Sequence, residues 1–279
     1  MYQIIAVDVD GTLLTPAHAL NSRVRRAVRA ARARGIHVAL ATGKLLRSVG
    51  ALIEELDLTD AQITCNGAVI VDAAGGAPVA FVALDPPERW AALAALREAA
   101  PDLGIAWYTP DAIYTDAPPG LLDRTLAAYH EPPLRHVAAL DASLPAPAKF
   151  LITGSPARLA EVRAAIAPRL GAAVQVIGTT PDFLEMLSPR ATKGAGLRTV
   201  MRLLDVPRAG VLALGDGEND LTLLAEAGCA VAMGNAVPAL RARADYVTAG
   251  NDADGAALVI EAVLAGRDLA AVDGIEARR

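Results

Sequence analysis

Asp8-Val9-Asp10-Gly11-Thr12 is the stretch that decides the fold, because it follows directly on a largely apolar run from 3 to 7. A short run of this kind that ends in a turn predicts a strand buried on both faces, as in a parallel sheet. Ligands of open α/β sheets bind outside the carboxyl ends of such strands, so Asp8 and Asp10 are expected to face a ligand site. An isolated Asp-Gly step also starts ordinary tight turns, and the rest of the chain must decide between the two.

The composition indicates an ordinary globular protein. Of the 279 residues, 53% are hydrophobic, which is enough for a large core and for two domains. No targeting segment precedes the first strand pattern and no apolar stretch reaches membrane-spanning length, so we expect a cytoplasmic protein. The net charge of -5 argues against nucleic acid or a membrane as partners. Cys65 and Cys229 lie in apolar segments and are expected to be buried thiols.

The cations are unevenly divided between the two residue types. Of 26 lysines and arginines only Lys44, Lys149 and Lys193 are lysine, so arginine is the default cation of this chain. Because ammonium and guanidinium groups are not interchangeable at a tight site, lysine is expected where a compact charge is required. Lys149 precedes an apolar strand and is interpreted as a strand-edge cation. The arginines between 23 and 34 alternate with apolar residues at helical spacing, which predicts a surface helix with a solvated basic face.

The order of predicted elements defines two domains. In 1–84, strands at 3–8, 36–41, 61–65 and 68–71 alternate with helices at 21–34 and 45–56; after 189, a helix at 192–204 precedes strands at 210–214, 229–233 and 245–248. This alternation predicts an α/β fold with a Rossmann-like parallel sheet and helices on both faces. Between them, helices at 88–99, 120–129 and 156–169 interleave with short strands at 105–108, 112–115, 135–139, 148–153, 173–177 and 183–187. We therefore predict a core of 1–84 and 189–279 with an inserted α+β domain, 85–188, built on an antiparallel sheet.

A second acidic cluster, Gly215-Asp216-Gly217-Glu218-Asn219-Asp220, follows the predicted strand 210–214. If this strand and strand 3–8 belong to one sheet, Asp8 and Asp216 meet at its carboxyl edge. Carboxylates that meet in this way are hard oxygen ligands, which favours Mg²⁺. A cation beside a carboxylate lets that carboxylate attack phosphorus, so the pattern points to covalent catalysis through an aspartyl phosphate.

Further residues suit phosphoryl transfer. Asp10 can protonate a leaving alcohol and then activate water. Thr42 and the N–H groups of Gly43-Lys44 follow the second predicted strand, where they would face a phosphoryl oxygen. Lys193, at the start of a predicted helix, is electrostatically misplaced there, which favours a functional charge. Each has a plain alternative: Thr42 as a helix cap, Lys44 as a solvated cation and Lys193 as an ordinary first-turn residue. The four histidines share no spacing with the acidic clusters, and no chemistry is assigned to them.

In order and spacing the motifs resemble those of the haloacid dehalogenase-like hydrolases, in particular the Cof-type phosphatases with an inserted cap. The resemblance is carried by Asp8-Val9-Asp10-Gly11-Thr12-Leu13-Leu14, Ala41-Thr42-Gly43-Lys44, Asn66-Gly67-Ala68, Lys193-Gly194, Gly215-Asp216-Gly217-Glu218-Asn219-Asp220 and Met233-Gly234-Asn235-Ala236. It covers essentially the whole chain. It implies a Mg²⁺-dependent phosphatase acting on a small phosphorylated metabolite, such as a sugar phosphate or a phosphorylated cofactor, with 85–188 as the cap that selects the leaving group.

The resemblance also implies a role for each site residue. Asp8 is the implied nucleophile and metal ligand, Asp10 the acid/base and a ligand through its carbonyl, and Asp216 the third protein ligand. Lys193 is the implied catalytic cation, and Asp220 supports the metal from behind its ligands. The implied phosphate-binding residues are Val9, Thr42, Gly43, Lys44 and Asn219. Lys44 departs from the arginine that most often follows Thr-Gly in this family. In the cap, the conceivable substrate contacts are Trp107, Tyr108, Tyr114, Asp182 and Phe183, although packing or solvent exposure is the simpler expectation for each.

Several other functions fit parts of the pattern. A phosphomutase uses the same scaffold, whereas a dehalogenase needs neither a magnesium cluster nor an acid at position 10. A dinucleotide-binding oxidoreductase would need a third glycine where Asp220 stands. A non-catalytic metabolite-binding regulatory protein would have no use for the complete set of Asp8, Asp10, Lys193 and Asp216.

Overall fold

The core sheet places the two acidic clusters side by side. The computed structural model of the protein describes residues 2–74 and 76–278. Among these residues the core sheet has six strands, which are Ile4–Val7 (β1), His37–Leu40 (β2), Val211–Gly215 (β12), Cys229–Ala232 (β13), Tyr246–Val247 (β14) and Glu276–Ala277 (β15). Their order is β15-β14-β13-β12-β1-β2, and all neighbours are parallel except β14 and β15. Because β1 and β12 are parallel neighbours, the segments that follow them emerge at the same edge.

Helices cover this sheet. They are Ser22–Ala33 (α1), Leu46–Leu56 (α2), Lys193–Leu203 (α6), Leu221–Glu226 (α7), Pro238–Arg241 (α8) and Gly255–Leu264 (α9). The apolar face of α1, with Val24, Ala27, Val28 and Ala31, is buried, while Arg23 and Arg32 pair with Glu261 and Asp57 at the surface. The prediction of a helix with a solvated basic face is thus confirmed. The α/β class with a Rossmann-like core and an inserted cap is confirmed as well.

The segment after α2 departs from the predicted parallel sheet. It forms a small antiparallel sheet of Ala61–Thr64 (β3), Val69–Asp72 (β4) and Pro78–Phe81 (β5), joined to the core strands by one parallel bridge between Ala41 and Ile63. The physical reason lies in the turn between β3 and β4, where Cys65, Asn66 and Gly67 all have positive φ and reverse the chain. Gly67 has a second constraint, because a Cβ there would stand 2.0 Å from the carbonyl oxygen of Thr192.

The cap is built on a second sheet of six described strands. They are Ile105–Tyr108 (β6), Ile113–Thr115 (β7), Arg135–His136 (β8), Lys149–Thr153 (β9), Gln175–Thr180 (β10) and Phe183–Leu187 (β11), and the cap helices are Glu88–Ala99 (α3), Asp123–Ala128 (α4) and Pro156–Leu170 (α5). The order is β10-β11-β9-β6-β7-β8, antiparallel as predicted except for the parallel pair β7 and β8. Every strand of this sheet lies between 105 and 187; the domain boundaries at 85 and 188 stay a prediction.

Both cysteines are buried thiols, as expected from their apolar neighbours. Within residues 2–74 and 76–278, each helix is too short or too polar to span a bilayer.

Candidate active site

Asp8 lies at the carboxyl end of β1 and contacts a buried ammonium group. The Nζ of Lys193 donates to Oδ1 of Asp8 and to Oδ1 of Asp220, each at 2.6 Å. Lys193 is the first residue of α6, whose start is fixed by Thr192, because the Thr192 hydroxyl accepts from the N–H of Ala195. The side chain of Lys193 is fully buried. The helix start therefore holds a positive charge between two carboxylates, where the sequence predicts one.

Asp216 reaches the same edge of the sheet from the end of β12. Its Oδ1 accepts a hydrogen bond of 2.9 Å from the hydroxyl of Thr12. Gly11 passes so close that a Cβ at this position would lie 2.3 Å from Oδ2 of Asp216, and its φ of +84° also favours glycine. The glycine of the first motif thus allows the second acidic cluster to approach the first.

The donor set fits a small divalent cation. Asp8, Asp216 and Asp220 each offer a carboxylate oxygen, and these atoms all lie within 4.8 Å of one another. Asp220 already accepts from Lys193, and its Oδ2 accepts from the N–H groups of Asp216 and Gly217 at 2.9 Å. Asp8 and Asp216 are therefore the carboxylates best placed to hold Mg²⁺, while Asp220 orients the loop and the ammonium group behind them.

The electrostatics of this cluster favour an added positive charge. Burial raises the pKa of Asp8 well above its usual value; Lys193 opposes this effect, and Asp220 and Asp216 add to it. Burial and the charge of Asp220 raise the pKa of Asp216 to about 6. Burial alone would lower the pKa of Lys193, but Asp220 and Asp8 together raise it above its usual value. Since one ammonium group cannot balance three crowded carboxylates, a divalent cation would stabilise their ionised forms.

Asp10 lies at the rim of the site with two partners. The Nζ of Lys44 donates to its Oδ1 at 2.7 Å, and Nδ1 of His18 lies 3.3 Å from the same oxygen. The Asp10 side chain is 25% exposed, so solvent reaches it. The sequence assigned no chemistry to His18, and its distance along the chain from Asp10 gives no signal. The loop turns back toward Asp10 at His18 itself, whose φ is 54°.

Thr42 and Gly43 follow β2 beside these aspartates. The hydroxyl oxygen of Thr42 accepts from the N–H of Lys44 at 3.1 Å, which leaves the hydroxyl hydrogen able to donate to a ligand. Thr42 itself is 1% exposed. The side chain of Val9 is buried in the core, so its backbone alone can serve a phosphoryl group.

Asn66 joins the small antiparallel sheet to the site. Its Oδ1 accepts from Nδ2 of Asn219 at 3.0 Å, and its Nδ2 donates to Oε2 of Glu185 in the cap at 2.8 Å. Asn66 and Gly67 form the turn between β3 and β4, and the Asn66 side chain also holds the candidate phosphate ligand Asn219.

Lys149 is not a strand-edge cation, and that interpretation is wrong. It lies on β9, between β11 and β6, and is 1% exposed. Its Nζ pairs with Oε2 of Glu185 at 2.9 Å, donates to the carbonyl of Gly43 at 2.8 Å and lies over the ring of Tyr108. All three lysines of the chain therefore meet at this site, and the rarity of lysine is the signal that could have placed Lys149 here.

The five cap residues named as conceivable substrate contacts differ in where they lie. Trp107 is fully buried in the cap core and donates to the carbonyl of Pro145, and Tyr114 contacts Arg135 away from the site. Those two are not substrate contacts in this arrangement. Tyr108 is buried beneath Lys149.

Of the remaining two, Phe183 lines the cavity between core and cap, and its ring packs at a tilt against that of Tyr129. The Tyr129 hydroxyl donates to Oδ2 of Asp182 at 3.3 Å.

The cavity lies between the core and the cap. Its volume is about 60 Å³, and the lining from the core includes Asp8, Asp10, Thr42, Gly43, Lys44, Asp216, Gly217 and Asn219. The lining from the cap includes Tyr129, Glu131, Lys149, Leu151, Thr179, Thr180, Phe183 and Glu185. A second cavity of about 360 Å³ shares Lys44 and is lined also by His18, Arg47 and His130. A water needs about 10–15 Å³ of such space, so the first cavity suits a group of phosphate size and the second a larger one.

Comparison with known proteins agrees with this architecture. The family model for haloacid dehalogenase-like hydrolases matches residues 5–260. YxeH of Bacillus subtilis is 31% identical to this chain, with 95% of this chain and 100% of YxeH covered. The HMP-PP phosphatase of Cronobacter sakazakii is 30% identical over 88% of this chain and 89% of its own length. The crystal structure of a haloacid dehalogenase-like hydrolase from Bacteroides thetaiotaomicron has a TM-score of 0.82 and 29% identity, covering 94% of this chain and all of that one.

A parallel α/β core with aspartates at two adjacent strand ends, closed by an inserted cap, defines a hydrolase class. The chain belongs to the haloacid dehalogenase-like hydrolases. The Cof-type subgroup predicted from the motifs is confirmed as well.

Proposed function

We propose that the protein is a Mg²⁺-dependent phosphatase that hydrolyses a small phosphorylated metabolite through an aspartyl phosphate. The observation that carries this proposal is the position of Asp8. It is buried at a strand end, 2.6 Å from the Lys193 ammonium group and beside Asp216, and it lines the cavity. The name of the Cronobacter sakazakii relative, an HMP-PP phosphatase, supports the same reaction class.

Asp8 acts as the nucleophile in this proposal. A carboxylate oxygen of Asp8 forms a bond to phosphorus while the bond from phosphorus to the leaving-group oxygen breaks. Water then attacks the phosphorus of the aspartyl phosphate, which releases inorganic phosphate and restores the carboxylate. Lys193 favours the ionised form of Asp8, against the effect of burial, and supplies positive charge beside the transferring group.

Asp10 handles the proton in both halves of the reaction. It donates a proton to the leaving alcohol and then accepts one from the attacking water, so the protonation state is restored after each turnover. Lys44 and His18 fix one oxygen of Asp10, which leaves the other oxygen for the reacting groups. Lys44 and His18 also line the larger cavity, which suits a leaving group that extends in that direction.

The phosphoryl oxygens are bound by groups of the core in this proposal. The Thr42 hydroxyl has a hydrogen to donate, and Gly43 and Asn219 line the same cavity. Val9, between the two lining residues Asp8 and Asp10, would contribute its backbone N–H. Asp8, Asp216 and the carbonyl of Asp10 would hold Mg²⁺. When bound, Mg²⁺ offsets negative charge on the phosphoryl group and on the carboxylates.

The proposal is tested by phosphate release from a panel of small phosphate esters, with Mg²⁺ and with a chelator. We expect turnover with Mg²⁺ alone, and a phosphorylated protein trapped by acid quench when the ester carries labelled phosphate. Asp8→Asn should lose both signals, with turnover lower by about a thousandfold or more, because the variant lacks the attacking oxygen.

Asp273→Asn, at an exposed surface position, is the matched control and should behave as the unaltered protein. Turnover by Asp8→Asn at the rate of the unaltered protein would rule out the nucleophile assignment. Absence of turnover of every ester by the unaltered protein would count against the phosphatase itself.

A further inference from the structure

The cap carries a buried ion pair that faces the core. Lys149 and Glu185 lie on the adjacent cap strands β9 and β11, and their side chains are 1% and 2% exposed. Removing two charges from water is expensive, and a buried pair of this kind often stabilises a protein no better than apolar side chains of similar volume. Stability alone therefore does not explain why this pair bonds to residues outside the cap.

Both members of the pair bond to core segments that line the cavity. The Nζ of Lys149 donates to the carbonyl of Gly43 at 2.8 Å. Oε2 of Glu185 accepts from Asn66, which in turn accepts from Asn219 at 3.0 Å. Oε1 of Glu185 accepts from Thr179 of the cap at 2.8 Å. One ion pair thus joins the loop after β2, the turn after β3 and the loop after β12.

The contact with Gly43 reaches a candidate phosphate ligand through a single peptide group. The Gly43 carbonyl that accepts from Lys149 belongs to the same peptide plane as the N–H of Lys44. That N–H donates to the hydroxyl oxygen of Thr42. Because a peptide unit is planar, fixing its carbonyl also fixes its N–H, and through it the direction in which the Thr42 hydroxyl can donate.

We infer that Lys149 and Glu185 are positioning residues: they orient Thr42 and Asn219 toward the phosphoryl group when the cap is seated. This inference rests on the proposed phosphatase function. The cap then contributes to the transfer of the phosphoryl group itself, whatever the leaving group. Hydrogen-bond donors that are slightly misplaced lower the rate of a positioned reaction by about tenfold to a hundredfold.

The double variant Lys149→Met/Glu185→Gln tests this inference. Removal of both charges leaves neither member of the pair buried without its partner, so the variant is expected to fold. The kcat/KM should fall by a similar factor, about tenfold to a hundredfold, for 4-nitrophenyl phosphate, glycerol 3-phosphate and glucose 6-phosphate. The inhibition constant of inorganic phosphate should rise, which loss of structural stability alone would not produce. Arg169→Met/Glu98→Gln removes an exposed cap pair and should change neither quantity.

Amide hydrogen exchange supplies a readout that needs no turnover. Segments 42–44 and 65–67 should exchange faster in the double variant than in the unaltered protein, in the absence of substrate. Unchanged exchange there, or a loss of kcat/KM confined to some esters, would overturn the inference, because the pair would then be structural or a leaving-group contact. If the unaltered protein hydrolyses no ester but these segments still exchange faster in the variant, the proposed function fails while the positioning contacts stand.

Discussion

The two faces of the cavity are built in different ways. On the core face, Asp8, Asp10 and Asp216 directly follow strands of one parallel sheet, so the topology itself brings them together. On the cap face, Lys149 and Glu185 belong to the strands themselves, and their direct partners in the core, Gly43 and Asn66, lie in two separate segments. The aspartates proposed to react are thus placed by strand ends, whereas the alignment inferred for Thr42 and Asn219 depends on contacts between the two halves of the molecule.

The largest expected effect is on catalysis, and it distinguishes the role of Asp10 from that of Asp8. Asp10→Asn should lower kcat/KM for glycerol 3-phosphate by about a hundredfold to ten-thousandfold, because an alcohol leaves poorly without a proton. Nitrophenolate needs no proton, so the first turnover of 4-nitrophenyl phosphate should be much less affected. Rapid-mixing measurement of nitrophenolate release checks this, again with Asp273→Asn as control. An equal loss for both esters would contradict the acid role.

A smaller effect is expected on stability when buried charges are removed from one face or the other. Lys193→Met leaves Asp8 and Asp220 buried without their cation, so the free energy of unfolding should fall by about 3–5 kcal/mol. The double variant Lys149→Met/Glu185→Gln should lose clearly less, because it removes both charges of a pair. Urea unfolding at pH 7 without Mg²⁺ measures both. Equal losses in the free energy of unfolding would contradict the expectation that a cation removed alone costs more stability than a whole ion pair removed together.

The smallest effect concerns Glu131, a cap residue that lines the cavity and accepts from Ser48 at 2.6 Å. Burial raises its pKa, although Lys149, Ser48 and Lys44 act in the opposite direction. A group with a raised pKa in the folded state contributes stability that is complete below its unfolded pKa, about 4.5, and is lost as the pH rises through the folded value. Glu131→Gln does not titrate, so its stability relative to the unaltered protein should improve from pH 5 to pH 8.

Urea unfolding at the two pH values measures that change, and Glu161→Gln, at an exposed cap position, is the control. A stability difference between Glu131→Gln and the unaltered protein that stays constant with pH would contradict the raised pKa.

The elements of the core and the cap were largely predictable because apolar periodicity is local. The convergence of Asp8 and Asp216 was predictable for a related reason, since strand ends in a parallel sheet meet at one edge. The antiparallel sheet β3–β5 was not, because its reversal depends on left-handed backbone at Cys65 and Asn66, which no apolar pattern reveals. Its edge strand also escaped prediction, since Val79 and Phe81 on β5 are exposed.

The residues missed at the site share one property: their partners are distant in sequence. Lys149 contacts Gly43, and Asn66 contacts Asn219 and Glu185, through folds of the chain that only tertiary structure provides. The loop that brings His18 to Asp10 is shorter but equally unmarked by spacing. Such contacts follow from how the cap sits on the core, and a single sequence carries no direct record of that arrangement.

The concentration of every lysine in one place has a practical consequence. The side chains of Lys44, Lys149 and Lys193 are 8%, 1% and 0% exposed, while most of the described arginines, Arg89 excepted, are spread over the surface. A protease that cuts only after lysine therefore finds all its cleavage sites in or beneath the walls of the cavity, whereas one that cuts after arginine attacks the outside. The rate of cleavage after lysine, relative to that after arginine, would report how often the walls of the cavity open. No label or substrate is needed.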